Sequence, residues 1–467
     1  ASILVADRQA RAGLTAPWAA GKNAREYRGA LGNTPIIGLF SVGLETEHRW
    51  KDSVQSPREV RIWAADGVAH GFRPWYCKFS GVLHDRRWLA PVEEFFAWHH
   101  RCERYLRNER NLARVAVVYS QQTARFYGGE HARRKVEDHI LGVCQALVEA
   151  RVPFEMLHDG LLDPDHTAPF RLLVLPNVAA LSDRQCDQLR AHVAAGCALL
   201  ATHETSLYDE RGCPRDDFGL ADVFGASFRG GVDGPMKNAY LRLHHPHPVL
   251  AGLEDAPRII HGVHRVRAEL AAELPAAPVT LVPPYPDLPM EEVYPRVEDS
   301  GVPELYLRET GAGRVAYFNW DVDRTFREVL AEDHLKLLAN TVRWALNEDP
   351  PVEVIGGGVL DVAVWRQRDS VTVHLVNLTN PMMMKGPYRE FLPCPAQRVR
   401  VRLPDGARPE RVHLLVADTD ADWRADGAYV EADVPAVTSH EVLAIDLAWD
   451  GNGHGNGRSA DDADTRR

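Results

Sequence analysis

Residues 35–50 read Pro35-Ile36-Ile37-Gly38-Leu39-Phe40-Ser41-Val42-Gly43-Leu44-Glu45-Thr46-Glu47-His48-Arg49-Trp50. The continuous apolar run at the start has the length and composition of a buried strand. It passes into a polar loop that carries two acids. The pattern after it predicts a helix from about Arg58 to His70 and a second buried strand over Phe72–Phe79. A loop with His84 and Asp85 follows. A longer helix then carries Trp88, Leu89, Val92, Phe95, Phe96, His99 and Leu106 at helical spacing. This makes two βα units in a row, with acids and aromatics just after each strand. In a (β/α)8 barrel the active site is built at those strand ends. Two units are only part of a barrel. Residues 1–110 are therefore expected to be the C-terminal part of a TIM barrel, and the missing initiator Met suggests an N-terminal truncation.

Beyond the charged stretch Arg107–Asn111 strands and helices alternate. Arg114–Ser120 reads as a buried strand, and a helix follows with Val136, Ile140, Val143, Leu147 and Val148 on one face. Val152–Leu157, Arg171–Leu175 and Ala198–Thr202 read as further strands. Ser182 is placed to cap a helix that Gly196 ends. This alternation predicts a doubly wound, mainly parallel sheet over residues 111–350. A hairpin is expected around Gly311-Ala312-Gly313, and one long helix over Glu328–Asn347. After Pro350-Pro351 only short β-rich runs recur: Val359–Trp365, Ser370–Asn377, Arg398–Leu403, Val412–Val416, Ala428–Val434 and Glu441–Leu447. Residues 351–449 are thus expected to form a small antiparallel β-sandwich. The tail, residues 450–467, has too little apolar content to pack and is expected to be disordered.

A net charge of −11, from 54 basic and 65 acidic residues, argues against nucleic acid or an anionic membrane as partner. No apolar run approaches the roughly 20 residues of a membrane-spanning helix. The seven Cys are dispersed with no C-x-x-C pair, as expected for reduced thiols in a cytoplasmic protein.

Glu45 and Glu47 are the first candidates for chemistry. Glycoside hydrolysis uses two carboxylates, one protonating the leaving oxygen and one attacking the anomeric carbon or activating water. A Glu just after a buried strand, beside Arg49 and Trp50, suits the second role: an indole stacks on a sugar ring and a guanidinium binds hydroxyls. The competing reading is two solvated loop acids, one paired with Arg49. Trp75, Lys78, His84 and Asp85 stand at the end of the next strand and are expected to line the same pocket. Asp85 has a second reading, as the N-cap of the following helix. Trp63 and Trp98, on helices, read as core. The turn Thr202-His203-Glu204-Thr205 carries no Cys, and Cys197 precedes the strand, so the doubly wound domain is expected to lack a nucleophile. His244-His245-Pro246-His247 reads as a surface loop. Gly356-Gly357-Gly358 lacks a following Lys-Ser/Thr and is not a phosphate loop. Asn377-Leu378-Thr379 fits a glycosylation sequon, and Met382-Met383-Met384 reads either as core filling or as packing on another domain. No metal and no cofactor are expected.

Arg61-Ile62-Trp63 leading to Ala69-His70-Gly71, together with the order barrel end, amidotransferase-like α/β domain and small β-sandwich, resembles glycoside hydrolase family 42 β-galactosidases. Arg73-Pro74-Trp75, Ser120-Gln121-Gln122-Thr123 and Leu375-Val376-Asn377-Leu378-Thr379-Asn380-Pro381 resemble hypothetical glycoside hydrolases with a β-galactosidase trimerisation domain. The resemblance covers about residues 30–447. It implies a flavodoxin-like, class I amidotransferase-like middle domain, a carbohydrate substrate and a homo-oligomer, most simply a trimer. It also implies an acid/base Glu on an earlier barrel strand, which no segment of this chain supplies. The chain departs from the family at the nucleophile. Counting the family's spacing back from Trp50 reaches Val42, so Glu45 or Glu47 must act from a shifted loop.

The function these readings predict is the C-terminal portion of a β-galactosidase-like glycoside hydrolase, with one member of its carboxylate pair missing. The alternative is a non-catalytic carbohydrate-binding or assembly protein on the same scaffold. An active amidotransferase-like enzyme is a third reading, opposed by the missing Cys turn.

Overall fold

The computed structural model describes residues 3–7, 13, 15–32, 34–44, 48, 50–79, 81–271, 277–380 and 387–449. The fold is mixed α/β, built on several separate sheets.

The first sheet is parallel throughout: β1 (Leu4–Ala6), β2 (Ile36–Ser41) and β3 (Phe72–Cys77), in that order. Between and after these strands run α1 (Ala19–Leu31), α2 (Pro57–Ala69) and α3 (Leu89–Arg101). Ser56 caps α2, its hydroxyl accepting the Glu59 N–H at 3.3 Å, and Pro57 opens the helix where no amide partner is needed. Side chains alternate across a strand. Ile36, Phe40 and Phe72 therefore pack with Ala64, Ala65 and Val68 of α2 in one core. Gly67 lets α2 sit close: a Cβ there would lie 2.6 Å from the Phe40 ring. Val5 and Trp75 point to the other face and are 47% and 49% exposed. The expected second buried strand is thus shorter than Phe72–Phe79 and is covered on one face only.

The second sheet has six strands. Its parallel part is β5 (Val115–Tyr119), β6 (Phe154–His158), β7 (Leu172–Leu175), β8 (Ala198–Thr202) and the strand Gly313–Phe318; Tyr306–Thr310 pairs antiparallel at one edge. Alternate residues feed two cores. Val117, Val174 and Leu200 meet helices 138–149 and 332–346, whereas Val118, Leu175 and Leu199 meet helix 183–194. Such two-sided burial explains why these strands read as continuous apolar runs. Ser182 and Gln185 form a reciprocal capping box on helix 183–194. The single helix expected over Glu328–Asn347 is instead two, Val322–Val329 and Glu332–Leu346. Leu330 lies between them at φ 52°, a left-handed turn that ends the first helix. Strands 240–243, 258–260 and 279–282 make a small antiparallel sheet, and strands 226–233 and 265–270 pair as a ribbon.

Strands 352–355, 397–402, 429–434 and 422–426 form a four-stranded antiparallel sheet. It packs on a six-stranded one made of 419–420, 407–414, 440–449, 370–377, 360–366 and β4 (Arg110–Asn111). The stretch Arg107–Asn111, expected as a linker, therefore contains an edge strand. Its register pairs Arg110 with Arg366 and Asn111 with Trp365. Backbone bonds suffice for an edge strand, so its polar side chains gave no signal. The same holds for Asp422–Asp426, exposed along its whole length.

One buried junction ties the three parts together. The Arg25 guanidinium on α1 donates to both Asp361 oxygens at 2.6 and 3.1 Å, and to the Phe154 carbonyl of β6 at 3.0 Å. His70 Nε2 at the end of α2 lies 3.1 Å from Asp361 and 3.9 Å from Asp66. The Gly21 N–H donates to Asp66 at 2.5 Å. The Trp365 indole donates to the Ala69 carbonyl at 2.8 Å. Burial, with Asp361 next to it, holds the Asp66 carboxyl well above the usual carboxylate range. Asp361 is held below that range by Arg25 and His70, which outweigh its burial.

Candidate functional site

The segments after β2 and β3 meet where Lys78 reaches residues 51–53. Residues 41–44 are bonded to residues 50–55. The Gln55 amide donates to the Gly43 carbonyl at 2.7 Å and to that of Ser41 at 3.3 Å, and its backbone N–H donates to Val42 at 2.7 Å. The Ser53 hydroxyl accepts the Leu44 N–H and donates to the Trp50 carbonyl, both at 2.7 Å. Leu44 and Trp50 pair as an antiparallel bridge. Gly43 leaves room for this closure, since a Cβ would lie 2.8 Å from the Ser53 carbonyl. Both ends of the acidic segment are thereby fixed. Glu45, Glu47 and Arg49 themselves lie outside the described residues.

Trp50 is 55% exposed, with its ring centroid 4.9 Å from that of His48. Trp75 is in register with Leu39; the Trp75 side chain is half-exposed while that of Leu39 is buried. Lys78, one residue past β3, is the reverse of exposed. Its ammonium reaches the Lys51 carbonyl at 2.9 Å, the Asp52 carboxylate at 3.0 Å and the Ser53 carbonyl at 3.1 Å. The Lys51 ammonium in turn sits 4.5 Å from the centre of the Phe79 ring. His84 is exposed. Asp85 binds the Arg87 guanidinium through both oxygens, which lowers its carboxyl to about 2. It does not cap the next helix: α3 starts at Leu89 after Trp88, which makes no side-chain cap bond.

A second polar cluster, which the sequence reading treated as empty, lies at the C-terminal end of β8. His203 turns the chain at φ 51°, a left-handed conformation that costs energy in a residue with a side chain. Its ring stacks on His139 at 5.7 Å and meets His264 edge-on at 6.5 Å. His139 is held by Asp323 at 2.7 Å, and His264 by Asp321 at 3.1 Å. Glu204 accepts hydroxyls from Tyr127 and Tyr208. Burial lowers the His203 pKa, against the nearby Glu204 and Asp321 carboxylates that raise it. The backbone N–H groups of His203, Glu204 and Thr205 already have acceptors, so the turn offers no oxyanion hole. Cys197 lies before β8, at the opposite end of the strand. The signal for this site was His203 on a strand-to-turn corner; what hid it was that its partners come from residues 139, 264, 321 and 323.

Other motifs resolve as structure. Asn377 of the sequon is buried and donates to the Leu392, Val437 and Thr438 carbonyls. Gly356 is packed against the Gln397 side chain. His244 bonds Thr280 at 2.8 Å on the wall of a cavity of about 650 Å³, and His247 accepts the Val249 N–H. Met382, Met383 and Met384 lie outside the described residues. Among the described residues, Asp66, His70 and Asp361 alone have the spacing of a three-ligand cation site, within 4.8 Å of one another. Arg25 already supplies the positive charge there. Among the same residues no helix is long and apolar enough to cross a membrane.

No family model and no curated protein matches the chain by sequence. Solved structures do resemble it. The α-L-fucosidase isoenzyme 2 of Paenibacillus thiaminolyticus superposes with a TM-score of 0.73 at 18% identity, over 96% of this chain and 65% of that one. The β-galactosidase of Bacillus circulans sp. alkalophilus gives 0.62 at 13%, over 92% and 58%. A catalytic mutant of a family 42 β-galactosidase from G. stearothermophilus gives 0.61 at 15%, over 92% and 56%. The fold is therefore glycoside hydrolase-like, and the chain spans between 56% and 65% of the length of these enzymes.

Proposed function

We propose that the chain is the C-terminal portion of a glycoside hydrolase of β-galactosidase type. The parallel sheet β1–β3 is then the end of a (β/α)8 barrel, the doubly wound sheet a trimerisation domain, and the antiparallel sheets the closing sandwich. The observation that carries this reading is the site at the ends of β2 and β3. Leu44 and Trp50 pair across a stretch whose sequence carries two Glu, and the indoles of Trp50 and Trp75 are exposed. Glu45 or Glu47 attacks the anomeric carbon or activates water. Arg49, His84 and Asp85 contact sugar hydroxyls, and the indoles stack on the ring. The acid/base Glu comes from an earlier barrel strand, outside these residues. The protein acts in the cytoplasm and needs no metal or cofactor.

The test is hydrolysis of p-nitrophenyl β-galactoside and p-nitrophenyl α-L-fucoside by the full gene product. Glu45→Gln or Glu47→Gln at the true nucleophile should reduce turnover by at least about 10³-fold, the scale of losing an activated nucleophile. Unchanged turnover in both variants would remove them from the mechanism. Sugar binding without any turnover would favour the carbohydrate-binding alternative.

A further inference from the structure

We propose that the cavity between the doubly wound sheet and the antiparallel sandwich is a second binding site, for a small metabolite that carries a carboxylate or phosphate group. The inference does not rest on the glycosidase reading. The cavity holds about 700 Å³, a volume common among small-molecule sites. One wall comes from the C-terminal ends of helices 138–149 and 332–346 and the residues that follow them. The other comes from strand 352–355 and the glycines after it. Three arginines line it: Arg114, Arg151 and Arg343. Arg114 is balanced, since it donates to both Glu348 oxygens at 2.8 and 3.3 Å. Arg151 is half-buried and donates only to neutral oxygens. These are the Gly358 carbonyl at 2.7 Å, the Gln397 amide oxygen at 2.9 Å and the Val354 carbonyl at 3.3 Å. Arg343 is exposed and reaches the Ala150 carbonyl at 3.4 Å. Among the described residues neither of these two forms an ion pair with a carboxylate.

A guanidinium has five N–H donors. Arg151 makes three bonds and Arg343 one, so both keep donors for a ligand. Burial lowers the Arg151 pKa, and the Cys394 thiol is the group that opposes this, so no carboxylate offsets the cation. A half-buried cation in that state gains from a counter-anion. The acids on the wall do not supply one. Glu348 is committed to Arg114. Burial pushes the Glu149 carboxyl up, toward its neutral form, and its partner is the Gln145 amide at 3.0 Å. Glu353 is exposed and free of ion pairs among the described residues, and its carboxylate can accept hydroxyls. Gly356 and Gly358 add backbone N–H groups that donate to nothing among the described residues. Val152, Pro351 and Val354 supply apolar wall. Together these groups fit a small hydroxylated oxyanion, its charge on Arg151 and Arg343 and its hydroxyls on Glu353. The carbonyl ends of the two helices offset part of the positive charge, which makes this a millimolar site rather than a tight one. Because the contacts come from both sides of the junction, a bound ligand holds residues 149–153 and 352–358 together.

The experiment titrates the full gene product with inorganic phosphate, glucuronate and glucose by calorimetry. Amide hydrogen exchange over residues 149–153 and 352–358 reads where each one binds. Phosphate or glucuronate should bind saturably at millimolar concentration and slow exchange in both segments, and glucose should do neither. Arg343→Gln removes an exposed side chain with a single long bond and should fold normally. It should weaken anion binding at least about 10-fold, the scale of one charge-assisted bond. Arg151→Gln should weaken it at least as much; if that variant does not fold, Arg343→Gln decides alone. Binding of both anions assigns the site to the shared oxyanion chemistry, and binding of one narrows it to phosphate or to carboxylate. Absence of saturable binding by either anion would overturn the proposal. So would an unchanged affinity in Arg343→Gln, unaltered exchange in both segments, or equal protection by glucose.

Discussion

Asp66 and Asp361 are two carboxyls buried side by side with one strong cation, Arg25, and His70, whose pKa is lowered by burial and by Arg25. Glu155 is the remaining acid nearby, and it is satisfied by Arg28 at 3.4 Å and Asn111 at 2.6 Å. One positive guanidinium balances one carboxylate, so the second carboxyl is stable only with a proton. The two acids titrate in opposite senses. Asp66 is raised, so its folded form binds the extra proton. Its stabilising effect is complete below the usual carboxylate range and is lost as pH rises through the folded pKa. Asp361 is lowered, so its contribution is present above the usual range and is lost as pH falls toward the folded pKa. Asp66→Asn, which mimics the protonated acid, should keep or raise the Tm and remove the loss of stability on the alkaline side. Asp361→Asn leaves Arg25 buried and unpaired and should cost about 3–5 kcal/mol. Denaturant unfolding of both variants between pH 4 and 9 checks this; equal destabilisation by the two would contradict the opposite shifts of the two acids.

At the scale of the element, α2 shows how close packing can outweigh helix propensity. Gly67→Ala should gain about 1 kcal/mol as a better helix former. The added methyl would press on Phe40, which is itself wedged between Phe72 and Tyr76. Overpacking of that kind costs about 1–3 kcal/mol. The net expectation is a lower Tm, and a raised Tm would show that α2 can move off the sheet. The corner after β8 makes the opposite point. A left-handed residue on a strand-to-turn corner exposes a nucleophile in an enzyme, yet here it holds His203, packed among other histidines and with no free backbone donor. The protein should release no ammonia from glutamine. Glutaminase activity that Cys197→Ala abolished would refute this.

At the scale of the molecule, the junction at Arg25 fixes α1, β6 and strand 360–366 as one body, while the uncovered face of the first sheet leaves Val5 and Trp75 exposed. The stretch 288–297 also presents Leu288, Met290, Tyr294 and Val297 as exposed side chains. Apolar surface of this kind is commonly covered by a partner. On the function proposed above, the full gene product is expected to be a trimer, with a light-scattering mass close to three times that of the monomer. A sharp monomer at micromolar concentration would remove the assembly role.

The strands that feed a core were legible because burial leaves a local period. Ile36–Ser41, Val115–Tyr119 and Ser370–Asn377 are apolar where neighbours cover them. So was the cap at Ser182, a property of four adjacent residues. Edge strands were not legible: Arg110–Asn111 and Asp422–Asp426 are held by backbone bonds that any side chain permits. Nor was the break at Leu330, where a residue that favours helix stands at φ 52° between two helices. The roles of single polar residues depended most on tertiary structure. His70 sits in a motif that reads as local, but its partner is Asp361, and Arg25 meets that same carboxylate across 336 positions. Lys78 reads as a pocket cation until three acceptors from the preceding loop are seen to use all of its protons. Sequence by itself determined where apolar surface would be buried, because that depends on neighbours a few residues away. Only the tertiary structure decided which charges are paired, because a buried charge is satisfied by whatever the fold brings within about 3 Å of it.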